Sequence, residues 1–349
     1  MRLLEISADG FRNLQQVRLA FGSPLTLLFG ENAQGKTSVL EAIYLLGTSK
    51  SFRDHRLEHL IAFGRGEAAV GGQVRSGDVT HRLECALTPR EKRFRLDGRE
   101  AGPAEYLSVL PVVALSAEDR SLVKGEPRHR RNLLDTAGVL RRPAYLKEVL
   151  EFGRCRAQRA ALLRNPASSR KERAAWTEPY AALGEKIQRE RAQLAEMLNG
   201  LLDGLARDAS CQERVQLVYR PSGGSDLRAS LERAAEAERR AGVNLVGPQR
   251  DRVEILLDGK ALEAYGSGGQ ARRVLWMLKL SLVLLRSGGD PEPPLFLVDD
   301  AEAELDQRRI EELMRLTERR AQVVLTAVRD WCGWSGEIDR RRVAGGRVA

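Results

Sequence analysis

Leu25-Thr26-Leu27-Leu28-Phe29 runs without interruption into Gly30-Glu31-Asn32-Ala33-Gln34-Gly35-Lys36-Thr37. This short β-rich apolar run, with no charge in it and leading straight into a glycine loop, reads as a buried parallel strand. The next eight residues fit G-x-x-x-x-G-K-[ST]. Ser38 to Leu46 then continues with apolar residues at helical spacing, and Gly47 is the expected helix end. Strand, glycine loop and helix in that order make a phosphate cradle. The glycines let the backbone bend, consecutive N–H groups face an anion, and the helix adds its positive N-terminal end. The pattern predicts Lys36 at the β- and γ-phosphates of a bound nucleotide and the Thr37 hydroxyl at its Mg²⁺.

Two downstream stretches extend this reading. Leu295-Phe296-Leu297-Val298-Asp299-Asp300 is an apolar strand ending in two acids. At the C-terminal end of a parallel strand such acids point into the crevice where ligands bind. Asp299 is expected to hold the Mg²⁺ shell and Asp300 to orient or deprotonate the attacking water. Ser267-Gly268-Gly269-Gln270 precedes a long helix and forms a second anion site from a hydroxyl, glycine N–H groups and a helix N-terminus. One chain has no evident use for two anion sites on one nucleotide, whereas a head-to-tail pair of chains does.

Between these stretches the character changes. The first 120 residues read mostly as short strands, with Asp97-Gly98 as a tight hairpin turn. From Pro127 to Gly242 strand signals almost vanish. Helices are expected over 128–137, 144–164, 170–206 with a break, and 226–241. Strands resume at Val253–Leu257, with a second hairpin turn at Asp258-Gly259. A helix is expected near 307–319, and the strand Val323–Thr326 precedes an Arg-rich tail expected to fray. The run Val274 to Leu285 is too short to span a bilayer, contains Lys279 and reads as a buried helix.

The chain has 349 residues, 42% hydrophobic, with a formal charge of +9. That length and composition fit a globular protein with room for two domains, and the charge points to a polyanion, nucleic acid first. Cys85, Cys155, Cys211 and Cys332 lack metal-ligand spacing and read as reduced core thiols. The N-terminus Met1-Arg2-Leu3-Leu4-Glu5-Ile6 lacks a signal peptide's apolar region. A soluble cytoplasmic protein is expected.

The order of phosphate loop, Ser-Gly-Gly-Gln and acid-tipped strand resembles ABC-type ATPases, in which the Ser-Gly-Gly-Gln of one subunit completes the nucleotide site of another. More specifically, the chain resembles the RecF family of bacterial DNA-repair ATPases, relatives of SMC heads. The resemblance rests on Gly10-Phe11-Arg12-Asn13, Leu40-Glu41-Ala42-Ile43, Lys50-Ser51-Phe52-Arg53 and Val123-Lys124-Gly125. It rests equally on Arg130-Arg131-Asn132-Leu133-Leu134-Asp135, Val246-Gly247-Pro248-Gln249-Arg250-Asp251, Glu304-Leu305-Asp306 and Gln322-Val323-Val324-Leu325-Thr326.

The resemblance implies an α/β fold: an ABC-type P-loop ATPase head, a mixed sheet with flanking helices, carrying an α-helical insertion domain. Residues 1–126 and 243–349 form the two parts of the ATPase domain and 127–242 the insertion. It implies an ATP-driven homodimer at single-strand/duplex DNA gaps, working with RecR and RecO to promote RecA loading, with slow hydrolysis as a switch. Nucleotide contacts are expected from Arg12, Asn13, Gly30, Glu31, Asn32, Ala33, Gln34, Gly35, Lys36, Thr37 and Ser38, and across the dimer from Ser267, Gly268, Gly269 and Gln270. Lys36, Asp300 and Ser267 are the expected catalytic residues, and Thr37 and Asp299 the metal ligands.

Ala33 stands where the resemblance expects Gly, so its backbone is expected to avoid a left-handed state. Ala303 replaces a Ser before Glu-Leu-Asp, and Ser116-Ala117-Glu118 marks the equivalent of the Q-loop. A transporter ATPase would carry a His after the second acid, but His55, His59, His81 and His129 all precede Asp300. An SMC-like mechanical protein would need sustained heptads, which the insertion lacks. A nucleotide-gated DNA clamp without hydrolysis is a further alternative. The candidate DNA contacts are Arg128, Arg130 and Arg131, then Arg154, Arg156 and Arg159, and Arg340 to Arg342.

Overall fold

The computed structural model describes residues 1–54, 56–208, 213–285, 293–304, 321–330 and 338–348. By its packing the chain divides into two units, Met1–Asp119 with Gly289–Ala349, and Arg120–Gly288.

The first unit opens with β1 (Arg2–Asp9), β2 (Gln16–Ala20), β3 (Leu25–Phe29) and α1 (Lys36–Thr48). It continues with β4 (Ala68–Ser76), β5 (Val79–Leu87), β6 (Lys92–Leu96), β7 (Arg99–Glu100), α2 (Pro103–Leu107) and β8 (Val112–Leu115). The second unit holds α3 (Arg120–Lys124), α4 (Pro127–Arg141), α5 (Tyr145–Arg164), α6 (Arg170–Asp208), β9 (Val215–Arg220) and α7 (Leu227–Ala241). Its remaining elements are β10 (Arg252–Leu257), β11 (Lys260–Ala261), α8 (Leu262–Tyr265) and α9 (Gly268–Leu284). The chain then returns to the first unit with β12 (Leu295–Val298), α10 (Ala301–Glu304), β13 (Val323–Ala327), β14 (Asp339–Ala344) and β15 (Arg347–Val348).

Two sheets enclose α1 in the first unit. One is antiparallel, in the order β2-β1-β4-β5-β6-β7, and the other is mixed, in the order β15-β14-β3-β13-β12-β8. Strand β4 alternates buried and exposed along most of its length, as expected of a sheet with one wet face. β3, β12 and β13 are buried nearly throughout, as expected of strands covered on both sides. Val39, Leu40, Ile43 and Leu46 of α1 are at most 1% exposed. Burying each such side chain stabilises the fold by about 1.5–3 kcal/mol.

Gly47 does not end α1. The helix runs on to Thr48, with Ser49 as its left-handed cap, donating its N–H to the Leu45 carbonyl at 2.9 Å. Gly47 instead permits close packing, because a Cβ there would lie 2.3 Å from Val112 Cγ2 of β8. Nor does the tail fray. β14 pairs in parallel with β3, placing Arg340, Arg341 and Arg342 opposite Leu27, Leu28 and Phe29. Its run of arginines hid a strand whose second face reaches solvent.

In the second unit α6 continues through Pro179 without the expected break. Tyr180 and Ala181, just beyond it, are buried, so packing overrides the missing backbone donor. β9 is a strand where the sequence reading found only helices. It pairs with β10 from Arg252↔Arg220 to Leu257↔Val215. α9 packs on α6 and α3, so Ser267–Gln270 belongs to this unit, away from the division expected at 242/243.

The family-like stretches Arg130–Asp135 and Val246–Asp251 meet in a buried charge network in this unit. Arg191 donates both Nε and Nη2 to Asp135 at 2.9 Å and Nη1 to Asp251 at 2.8 Å. Asp251, fully buried, also accepts from Gln188, Tyr219 and the Ser222 N–H. A buried carboxylate is tolerable only with its lone pairs filled in this way.

Cys85 and Cys155 are free and buried, in agreement with their reading as core thiols. Cys211, Cys332, His55, Leu305, Asp306 and the helix expected over 307–319 lie outside the described residues. Among the described residues no helix is long and apolar enough to cross a membrane.

Candidate functional site: a phosphate loop beside paired carboxylates

β8, β12, β13, β3 and β14 run parallel, so their C-terminal ends share one edge of the sheet. That edge carries the phosphate loop after β3, Asp299-Asp300 after β12 and Ser116–Glu118 after β8. Asp299 donates its N–H to the Leu115 carbonyl at 2.9 Å, which fixes the β12 and β8 ends side by side. This is where ligands bind in open α/β sheets.

Lys36 is 5% exposed, and its Nζ donates to the Gly30 and Glu31 carbonyls at 2.6 and 2.7 Å. The ammonium therefore sits inside the loop's curve, a compact positive centre for an anion. Ala33 adopts φ +64° and does not avoid the left-handed state. Asn13 Nδ2 donates to the Ala33 carbonyl at 2.9 Å, and Asn13 Oδ1 accepts from Ser38 Oγ at 2.7 Å. Asn13 thus ties the loop to the first turn of α1 and holds a conformation that costs an L-residue roughly 1–2 kcal/mol.

Arg12 supports the site from behind. Its Nε and Nη2 donate to the fully buried Glu41 carboxylate at 2.9 and 2.6 Å, and Nη1 donates to the His59 carbonyl. Ser51 Oγ also donates to Glu41, and Arg53 Nη1 lies 3.9 Å from it. The Arg12 guanidinium is committed to the protein, so its position rather than a free charge serves the loop.

Thr37 Oγ1 donates to Asp299 Oδ1 at 2.9 Å, and Thr326 Oγ1 donates to the same oxygen at 2.7 Å. The Asp300 N–H donates to Thr326 Oγ1 at 2.8 Å. Asp300 itself is exposed with φ +50°, a left-handed conformation that Asp tolerates better than most residues. Burial pushes the Asp299 carboxyl above its usual range, the Thr326 and Thr37 hydroxyls pull it back, Asp300 adds to the rise and Arg53 opposes it. The Thr37 and Asp299 oxygens are spaced like neighbouring ligands of an octahedral Mg²⁺ with bonds of about 2.0–2.1 Å. A hydroxyl and one carboxylate fit that ion, which takes its remaining ligands from water and phosphate.

The sequence reading missed several contributors. Thr326 was there a strand terminus and the last residue of a family-like stretch, with no role at the site, yet it is fully buried and bridges both acids. Glu41 and Arg53 served there only as family markers. The tail turn touches the loop directly: Gly346 N–H donates to the Gln34 carbonyl at 2.9 Å and Gly345 N–H to Gln34 Oε1 at 2.6 Å. Gly346 has φ +73°, and a Cβ on it would lie 2.2 Å from the Asn13 carbonyl, so no other residue fits there. A cleft of about 880 Å³ opens beside Arg12 and Asn13, bordered by the wholly exposed Phe63, Arg65 and Arg347.

Ser267–Gln270 stands at the start of α9 as a capping box. Ser267 Oγ accepts from the Gln270 N–H at 3.2 Å, and Gln270 Oε1 accepts from the Ser267 N–H at 2.9 Å. Ser267, Gly268 and Gly269 are exposed. Of the expected DNA contacts, Arg130 is turned onto the Leu122, Val123 and Gly125 carbonyls, Arg131 onto the Asp251 carbonyl, and Arg159 is buried against Glu238. Those three are structural, because each satisfies acceptors that folding removes from water.

Residues 2–332 match the model of the RecF/RecN/SMC N terminal domain. A DNA replication and repair protein RecF from Synechococcus sp. (strain JA-3-3Ab) is 35% identical over 335 residues, 90% of this chain and 88% of that protein. The solved structure of the recombination mediator protein RecF-ATP in the RecFOR pathway superposes with a TM-score of 0.90 at 27% identity, covering 99% of this chain and 96% of that one. The Smc head domain of Pyrococcus furiosus shares the fold alone, with a TM-score of 0.58 at 17% identity. With its ABC-type head and the family's marker residues in place around the loop, the chain belongs to the RecF family.

Proposed function

We propose that the chain is an ATP-dependent DNA-binding protein of recombinational repair, an ABC-type head that pairs head to tail around ATP. The observation that carries the pairing is the setting of Gly268 and Gly269. A Cβ on either would meet nothing within 4 Å. Glycine costs about 1 kcal/mol relative to alanine within a helix, and nothing in the chain itself calls for it here. The demand comes from outside: a phosphate brought against the helix N-terminus by a second copy. Ser267 Oγ, which accepts from Gln270, keeps its own proton to donate to that phosphate.

Within one copy Lys36 binds the β- and γ-phosphates. Thr37 and Asp299 hold Mg²⁺, which would neutralise charge on those phosphates. Asp300, exposed at the strand end, orients the attacking water, and Thr326 fixes both acids. The cleft beside Arg12 and Asn13 takes the nucleoside, with Phe63 offering a stacking face. Ala327 occupies the position where a transporter ATPase carries its His, which favours the repair reading over transport.

Hydrolysis is slow and acts as a switch that releases the pair. The protein acts in the cytoplasm at single-strand/duplex gaps, with RecR and RecO, to promote RecA loading. The names of the relatives, a DNA replication and repair protein and a recombination mediator of the RecFOR pathway, support the repair part of this reading. Titration of a fluorescent ATP analogue tests the nucleotide site: wild type binds and Lys36→Ala does not. Equal binding by the two would remove Lys36 from the site.

A further inference from the structure

The basic excess is confined to one part of the chain. Residues 120–288 hold 32 Lys and Arg against 20 Asp and Glu, and the remainder holds 25 against 28. Many arginines of this second unit are committed, Arg159 to Glu238 and Arg228 to Glu178 and Glu185 among them. Arg156, Arg164, Arg239, Arg240 and Arg250 form no ion pair among the described residues, and all five are exposed.

These five surround one loop, Gly242–Leu245. Asn244 Nδ2 donates to the Arg156 carbonyl at 3.0 Å, and Arg250 Nε donates to the Asn244 carbonyl at 3.5 Å. Arg164 passes so close that a Cβ on Gly242 would lie 3.2 Å from its Cγ. Arg239 and Arg240 close the last turn of α7 immediately before the loop.

The loop is rigidly seated. Beneath it Arg159 Nη2 donates to Glu238 Oε2 at 2.6 Å and Nη1 to Asn244 Oδ1 at 2.6 Å. Glu238 Oε1 accepts from the Leu245 N–H at 2.8 Å, and Arg159 stacks 5.1 Å over the Tyr180 ring. Helix dipoles account for a cation at the C-termini of α5 and α7. They do not account for Arg156 and Arg250, or for the missing carboxylates.

We propose that this loop and its five arginines are a platform for the phosphate backbone of DNA. The proposal rests on the DNA-binding reading above and locates it. The test is fluorescence anisotropy of a labelled gapped duplex against the full chain with ATP, over a series of salt concentrations. Each phosphate contact contributes about 0.9 to the slope of log affinity against log salt. Replacing Arg164, Arg239 and Arg240 with Ala lowers that slope by about 2.7, and affinity at ~0.1 M salt by up to roughly 500-fold. A control variant, Arg75→Ala, Arg90→Ala and Arg95→Ala, removes the same charge from exposed positions of the first unit and keeps the wild-type slope. Wild-type slope in the Arg164/Arg239/Arg240 variant overturns the platform while leaving the DNA reading intact. Wild type with no salt-dependent DNA affinity overturns both.

Discussion

Thr326→Val tests the carboxylate edge with the least disturbance, because it exchanges a hydroxyl for a methyl of similar size. The hydroxyl is fully buried, donates to Asp299 Oδ1 at 2.7 Å and accepts from the Asp300 N–H at 2.8 Å. A hydrogen bond to a charged group contributes about 1.5–3 kcal/mol, and an N–H left unsatisfied costs about 1–3 kcal/mol. Asp300 is exposed, so water relieves part of the second loss, and about 2–4 kcal/mol is expected in all. For a unit of this size that is a fall of roughly 5–15 °C in melting temperature. Thr326→Ser keeps both bonds and loses only a methyl, about 1 kcal/mol. The assay is thermal melting by circular dichroism for the three proteins, paired with single-turnover ATP hydrolysis. Hydrolysis should fall at least about tenfold in the valine variant and stay near wild type in the serine variant. If the valine variant melts with wild type and hydrolyses normally, Thr326 does not organise the acids.

Other consequences can be checked alongside. Gly346→Val drives a side chain into the Asn13 carbonyl, so ATP-analogue affinity should fall although the residue is distant in sequence; unchanged affinity would uncouple the tail turn from the loop. Asp300→Asn should bind ATP and pair normally yet fail to turn over, and normal turnover would remove Asp300 from the water-orienting role. Asp299 has its carboxyl raised mainly by burial, so its contribution to stability is present below the ordinary carboxylate pKa and is lost as pH rises through its folded value. Without Mg²⁺, Asp299→Asn should therefore gain stability relative to wild type as pH rises above the ordinary carboxylate range of about 4, measured by urea midpoints. A difference that stays constant with pH would contradict the burial argument.

The parts of this architecture that announce themselves are those where local chemistry and tertiary role coincide. Leu25–Phe29 and Leu295–Val298 are strands to the residue, because each run is too short for a buried helix and ends at a loop signal, Gly30 or the paired acids. Asp97-Gly98 and Asp258-Gly259 both adopt positive φ at hairpin turns, as that dipeptide predicts. The hidden parts are those where a partner elsewhere in the chain decides. β14 looks like a charged tail until β3 supplies its hydrogen bonds. Ala33 accepts a left-handed state because Asn13, twenty residues earlier, holds its carbonyl. Arg130, Arg131 and Arg159 look like surface charge in sequence, but Arg130 folds back onto carbonyls just before α4, and the partners of Arg131 and Arg159, Asp251 and Glu238, come from far along the chain. Thr326 ends a family-like stretch that assigns its hydroxyl no role, and only the register of β13 beside β12 brings it to the acids.

The central claim is that the Ser267–Gln270 site of one copy closes on ATP held by the loop of another. Sedimentation velocity of wild type and Ser267→Arg, each with Mg²⁺ and ATP, tests it most directly. Ser267 is exposed and far in sequence from Lys36, so the variant should bind ATP like wild type. Wild type should sediment as a dimer and the variant as a monomer. A stable ATP dimer of Ser267→Arg would contradict the account.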